Sequence, residues 1–353
     1  MNNPVKILGA GISGLTTAIT LVRNGIQVIV YERESDVGMR FHNDIQGLEN
    51  GTEKTDILQE LQSYNIPIDF DTAPLHDLTI ANGKREYAIH FKKPLHYMVK
   101  RGPYPGTVDY SLKNHALSVG VNIQFDSTIE TENVDIVATG PIPSKTTAVA
   151  KGMVFKTDIK QLASGIYNDR MAFKGYSYLL ISEGHGCMAT VVYNDFARVN
   201  ECFERTKTHF IDKYNLKITE TRPMVGIGCF STCPVFEKNN QMFVGEAAGL
   251  QDFVAGFGMR YAFQSGYLAA CSIINSESYQ AVGSKKFLPM VKSCIVNRWL
   301  WETVLNRNNY SLMLIIYKLM ANANNGDSFH FNHWQALVFP FAQRYIKKMY
   351  PRV

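Results

Sequence analysis

Gly9-Ala10-Gly11-Ile12-Ser13-Gly14 places three glycines at the spacing that cradles a phosphate, and Glu32 follows about 20 positions later. The first two glycines permit a tight turn and close approach of backbone to a pyrophosphate, and the third lets a helix pack closely on a strand. The N–H groups at a helix start lack partners within the helix and sit at the positive end of its dipole, so they suit an anion. A carboxylate at Glu32 can accept hydrogen bonds from ribose hydroxyls. The flanking elements fit this chemistry. Val5-Lys6-Ile7-Leu8 is a β-prone apolar run, residues 15–24 are helix-like and closed by Gly25, and Gln27-Val28-Ile29-Val30-Tyr31 reads as a second strand. Strand, glycine turn, helix, strand and acidic residue together predict a dinucleotide site.

A second group stands some 230 residues further on. Met242-Phe243-Val244 reads as a strand running into Gly245-Glu246-Ala247-Ala248-Gly249, followed by Gly256-Phe257-Gly258 and a long helix from Met259 to Asn275. A carboxylate just past a strand can hydrogen-bond sugar-alcohol hydroxyls. A Gly-x-Gly at a helix start can set backbone N–H groups against a ring carbonyl carrying partial negative charge. Small residues at Ala262, Gly266, Ala269 and Ala270 allow this helix to lie very close to its neighbours.

With the Ala138-Thr139-Gly140 turn, these motifs resemble the FAD-dependent oxidoreductases of the glutathione-reductase-type flavin fold, most closely the geranylgeranyl reductase branch, which neighbours the aromatic hydroxylases. The resemblance covers residues 4–280 and is specific at 9–32 and 245–270. It implies that Gly9, Ala10, Gly11, Ile12, Ser13 and Gly14 underlie the FAD pyrophosphate and that Glu32 takes the adenosine ribose. It further implies that Arg40, Arg101, Thr139 and Gly140 approach the cofactor. Gly245 and Glu246 would stand near the ribityl chain and pyrophosphate, and the N–H groups of Gly258 and Met259 would meet the isoalloxazine C2 carbonyl. Glu246 replaces the family's usual aspartate, adding one methylene. The hydroxylases' Asp-Gly pair and the reductases' aromatic-Pro-Lys cavity motif are both missing, and Gly175-Tyr176-Ser177-Tyr178-Leu179-Leu180 only partly resembles the latter. No second glycine fingerprint marks an NAD(P)H domain, so NAD(P)H would dock transiently, or a partner protein would supply electrons.

Catalytic side chains are harder to read. Tyr176 and Tyr178 alternate with Ser177, so one strand face could present two phenols to a pocket, or pack them as core aromatics. His185 lies between glycines in a predicted hairpin turn, as an acid–base group or an exposed turn residue. His330 and His333 lack a matching carboxylate pattern and read as structural. Cys229 and Cys233 have no second pair or nearby histidine, so no metal is expected, and six cysteines in 353 residues make no disulfide framework.

The elements that position these groups alternate along the chain. Residues 36–50 read as a polar loop, carrying Arg40, that returns across the cofactor. Helical spacing marks 55–64 and 109–119; short strands are expected at 78–80, 87–91, 97–99, 121–125, 134–138, 153–155, 175–181 and 187–193, and a helix at 196–214. This order predicts an α/β protein in which a Rossmann-like FAD-binding domain (1–75, 98–150 and 226–280) is interwoven with a β-rich substrate domain (76–97 and 151–225). Residues 281–353 form a helical region: a lid, a dimer surface or a tunnel for a hydrophobic substrate.

Composition agrees with an enzyme: 46% of residues are apolar, 19% are charged and the net charge is +5. No basic run is interleaved with aromatics, which argues against nucleic acid. The apolar stretch 312–317 is far short of the ~20 residues that cross a bilayer. The glycine motif lies so close to residue 1 that a signal peptide is not expected, and a cytoplasmic protein is. Residues 345–353, basic with apolar insertions, suit weak contact with an anionic membrane surface. The expected function is hydride transfer to or from a carbon centre of a bulky apolar small molecule, by C=C reduction or dehydrogenation. A flavin-dependent monooxygenase is the alternative, and a non-redox FAD protein (a cyclase, isomerase or binding protein) a third.

Overall fold

A computed structural model describes residues 3–306, 309–322 and 331–351. Its nucleotide-type sheet has six strands in the order Glu237–Lys238, Gln241–Phe243, Ile136–Val137, Val5–Leu8, Val28–Tyr31 and Asn122–Gln124, all parallel except the first pair. Helix α1 (Ile12–Arg23) leaves the central strand through the glycine turn. Its apolar residues Leu15, Ala18 and Ile19 are fully buried with Ile7 and Val30. Helix α2 (Ile57–Ser63) is capped by Asp56, whose carboxylate accepts from Leu58 N at 2.9 Å. Thr107 caps helix α3 (Val108–Ser118).

A seven-stranded sheet runs Thr219–Gly228, Ala148–Lys156, His185–Tyr193, Tyr176–Ser182, Gln161–Ile166, Asp77–Ala81 and Glu86–His90. It is antiparallel apart from the Gln161–Ile166/Asp77–Ala81 pair, and helix α4 (Val199–Tyr214) packs against it. A three-stranded sheet joins the two layers, with His96–Arg101 between Asp44–Glu49 and Thr72–Pro74. Here the structure departs from the expected loop at 36–50, because Asp44–Glu49 is a strand. Asp44, Gln46, Gly47 and Glu49 carry no β-type alternation, and cross-strand pairing overrides their low propensity.

Helix α5 (Met259–Asn275) lies against α1 as its small residues predict. A Cβ on Gly266 would sit 2.4 Å from the Ser13 carbonyl oxygen, and the Thr17 hydroxyl donates to Gly266 O at 3.0 Å. Helix α6 (Tyr279–Leu300) starts earlier than its apolar run suggests, at a Ser278 cap, and continues into a π-helical turn, Trp301–Leu305. Helices α7 (Ser311–Asn322) and α8 (His333–Met349) complete the C-terminal region. Arg307 and His330 lie outside the described residues, and no described helix is long and apolar enough to cross a membrane.

Candidate functional site

A cavity of about 680 Å³ runs between the nucleotide-type sheet, the seven-stranded sheet and the C-terminal helices. Two helix N-termini open onto it, with Gly11, Ile12 and Ser13 from α1 and Gly258 and Met259 from α5 in its wall. The N-cap residues Gly11 and Gly258 make no side-chain cap bond, and in the α5 first turn the Arg260 N–H is taken by Glu49 Oε2 at 3.0 Å. Uncapped first-turn N–H groups facing a cavity form a ready anion site.

The three glycines of the turn differ in a way that bears on a bound dinucleotide. A Cβ on Gly9 would meet Ala138 O at 2.5 Å, and one on Gly14 would meet Gly9 O at 2.0 Å. A Cβ on Gly11 would meet nothing within 4 Å. Gly9 and Gly14 are therefore demanded by protein packing, whereas the space before Gly11 belongs to the cavity. This is the cradle a pyrophosphate needs, and the residues present fit an adenine dinucleotide.

Glu32 is tied to that same turn. Its Oε2 accepts from Ala10 N at 2.8 Å, and its Oε1 from Glu34 N at 3.1 Å. It stands beside the cradle and not in the cavity wall. Gly9, Ala10, Gly14, Thr139 and Gly245 also lie outside the lining, while Gly140 is part of it. Gly245 packs behind the α1 start, where a Cβ would come within 2.9 Å of Ser13 Oγ.

Arg40, Arg101 and Glu246, distant in sequence, share one stretch of wall. Arg101 is buried and bidentate to Asp109, with both N···O distances 2.8 Å. The Arg101 and Arg40 guanidinium carbons lie 4.4 and 4.6 Å from the Phe41 ring centroid. Burial pushes the Glu246 carboxyl up, and Arg40 and Arg101 draw it part of the way back.

Tyr176 and Tyr178 both line the cavity and also pack, partly buried, against the apolar cluster of Tyr193, Phe230 and Phe253. The Tyr176 hydroxyl donates to Ala255 O, and burial pushes both phenols well up, so they act as un-ionised groups. His185 takes the second of its two expected places, at the turn. It closes the hairpin beside Glu183, outside the lining, because the strand register directs it to the turn. His333 is exposed at the α8 start. All six cysteines are free, and the described residues hold no group of three metal-ligating side chains.

Sequence reasoning missed His96 and Glu49. They face each other across the Asp44–Glu49/His96–Arg101 pair, and both are buried. His96 lines the cavity 5.7 Å from the Phe257 ring, and neither of its ring nitrogens has a hydrogen-bond partner among the described residues. Burial lowers its pKa to about 4, leaving a neutral imidazole with one donor and one acceptor to offer. Only the pairing register brings these residues together, and no sequence motif marks it.

Glu49 Oε2 accepts from Arg260 N at 3.0 Å, while Oε1 is unpartnered among the described residues. Burial raises the Glu49 pKa to about 7. The folded protein then keeps a proton that the unfolded chain releases near pH ~4.3, so this group makes stability fall as pH rises from there to about 7. Glu49→Gln should shrink the drop in urea midpoint between acidic and mildly alkaline buffer. An unchanged drop would show that Glu49 titrates normally.

The NAD(P)-binding Rossmann-like domain family matches residues 7–52. A ubiquinone hydroxylase of Neisseria meningitidis is 24% identical over 139 residues, which cover 39% of this chain and 29% of that protein. The match therefore spans less than a third of that relative's length. Among solved structures, a geranylgeranyl bacteriochlorophyll reductase-like protein from Thermoplasma acidophilum aligns with a TM-score of 0.71 at 14% identity over 98% of both chains. A flavin-dependent brominase aligns at 0.65 and 16% identity, over 98% of this chain and 99% of its own. The fold is that of the FAD-binding flavoproteins, as the resemblance implied.

Proposed function

We propose that the chain is an FAD-dependent oxidoreductase of the cytoplasm that moves a hydride to or from a carbon centre of a bulky, largely apolar small molecule. The observation that carries this reading is one cavity whose wall holds both the glycine cradle with the starts of α1 and α5 and the apolar and aromatic side chains Tyr176, Tyr178, Leu180, Trp301 and Met313. When bound, FAD supplies the two-electron redox chemistry. Gly11, Ile12 and Ser13 would hold its pyrophosphate, Glu32 its adenosine ribose, Arg40, Arg101 and Glu246 the polar linker, and Gly258 and Met259 the ring carbonyl. His96, whose ring nitrogens have no hydrogen-bond partner among the described residues, would offer a donor and an acceptor to a polar group of a bound molecule. The apolar wall excludes water; in the reducing direction NAD(P)H would serve as a transient electron donor, and in dehydrogenation the reduced flavin would pass its electrons to an external acceptor.

A second reading, monooxygenation, draws support from the hydroxylase relative. One experiment separates the readings. The purified protein is examined for flavin absorbance, reduced anaerobically with NADH, NADPH or dithionite, and then offered substrate or air. A colourless protein that takes up no added FAD would overturn the assignment. Anaerobic reoxidation by an unsaturated substrate supports hydride transfer, and incorporation of labelled oxygen from O2 supports monooxygenation. Turnover with no change in flavin redox state supports the non-redox reading. Glu32→Ala should weaken FAD retention by about 1–3 kcal/mol in a fluorescence titration. Unchanged affinity would remove the ribose from Glu32.

A further inference from the structure

Helix α8 is docked by one face and bare on the other. Ala342 and Ile346 are fully buried, and the Gln335 amide donates to Ser293 Oγ at 3.2 Å and Asn297 Oδ1 at 3.1 Å on α6. Opposite them, Trp334, Leu337 and Phe341 are 48, 78 and 65% exposed. The steps of three and four residues put them on one stripe, which Arg344 and Lys348, both exposed, continue. Helix α7 repeats the arrangement, with Leu312, Ile315 and Leu319 exposed while Met313, Ile316 and Tyr317 line the cavity. Isolated exposed apolar residues need no explanation, but an aromatic-aliphatic stripe ending in cations does.

We propose that this face docks on an anionic phospholipid bilayer, with the apolar stripe in the headgroup–acyl boundary and the cations on lipid phosphates. An interfacial helix has this composition: Trp, Leu and Phe on one side and basic residues beside them. The charge is one-sided. From residue 303 to 353 the chain holds Arg307, Lys318, Arg344, Lys347, Lys348 and Arg352 against a single acid, Asp327. A second copy is the poorer occupant, because a two-fold interface must be self-complementary and this stripe offers no carboxylate to meet its own cations. The face is also continuous with the site, since Trp334 is half exposed and lines the cavity. Given the reading of an apolar substrate, which this part rests on, such a molecule passes from the lipid phase into the cavity beside Trp334 without crossing water.

The test is flotation of the full-length protein, its FAD content measured, with phosphatidylcholine vesicles with or without about 30% phosphatidylglycerol. The expected result is association with the anionic vesicles that falls at raised salt. It should fall at least roughly tenfold in Leu337→Glu/Phe341→Glu and in Lys347→Glu/Lys348→Glu, with thermal midpoints unchanged. Three results overturn the proposal: no association with either vesicle, association undiminished in both variants, or a wild-type dimer that Phe341→Glu dissociates. Vesicle binding by protein that takes up no FAD would leave this surface standing and remove the oxidoreductase reading. FAD binding without vesicle association would do the reverse.

Discussion

Gly11→Ala should fold with wild-type stability and lose FAD affinity by at least roughly tenfold, while Gly14→Ala should lose the native fold under mild denaturation. The two substitutions add the same methyl group three residues apart. At Gly11 the backbone is extended (φ −80°, ψ −176°), and the methyl enters open cavity space where the pyrophosphate is proposed to lie. At Gly14 it would overlap Gly9 O at 2.0 Å and crowd the Ala138 Cβ at 3.1 Å. Gly9 cannot yield easily, since it has φ +107° and packs on Ala138 O. Forced overpacking of this kind costs about 1–3 kcal/mol where side chains can move, and more where backbone is the obstacle. Urea denaturation and FAD titration of both variants check the contrast. A Gly11→Ala protein with unchanged FAD affinity would displace the pyrophosphate from the cradle.

Arg298→Met should destabilise the protein by about 3–5 kcal/mol and free its C-terminal helix for proteolysis. Arg298 is fully buried. Its Nε donates to Glu302 Oε1 at 2.8 Å, and one terminal nitrogen reaches Lys174 O and the Tyr350 hydroxyl, each at 2.8 Å. The guanidinium carbon lies 3.9 Å from the Tyr193 ring centroid, over its electron-rich face. Glu302 also accepts from Lys174 Nζ and Tyr345 at 3.0 Å each, so one ion-pair cluster joins α6, the π-helical turn, α8 and the loop before the Tyr176–Ser182 strand. Removing the arginine leaves the buried carboxylate with Lys174 as its remaining cation partner among the described residues, whereas Arg298→Met/Glu302→Leu removes both fully buried charges and should recover part of the loss. A double variant no more stable than the single one would refute that account.

The same cluster sets an acid limit. Burial pushes the Glu302 carboxyl up, but Arg298, Tyr350 and Lys174 outweigh it and hold the group below its ordinary value. Its folded pKa is therefore depressed. The stability it contributes is present above the unfolded value near ~4.3 and is lost as pH falls through the folded one. The sign is opposite to that at Glu49, so the two carboxyls bound the stable range from either side.

Local chemistry was legible in the residues themselves. The glycine turn, α1 and the strand before Glu32 follow from the missing side chains at 9 and 14, apolar spacing of 3.6 and a β-branched run, all properties of near neighbours. The small-residue face of α5 announced close packing, and Gly266 against Ser13 delivers it. The strand Asp44–Glu49 was not legible, because its partners lie some 50 residues away and its own residues are polar. His96 and Glu49 carry no signature until that register sets them side by side. The Arg298 cluster likewise depends on α8 returning to α6.

The sequence by itself determined the glycine turn at 9–14, the second helix start at Gly258 and the helical character of the C-terminal region, since each depends on residue type and short-range spacing. Only the tertiary structure decided that both helix starts open onto one cavity, that Tyr176 and Tyr178 line it while His185 does not, and that the buried His96 has no hydrogen-bond partner there among the described residues. Those outcomes depend on strand register and helix docking over long sequence separations. A one-residue slip in pairing exchanges the faces of a strand, and no local composition records which register wins.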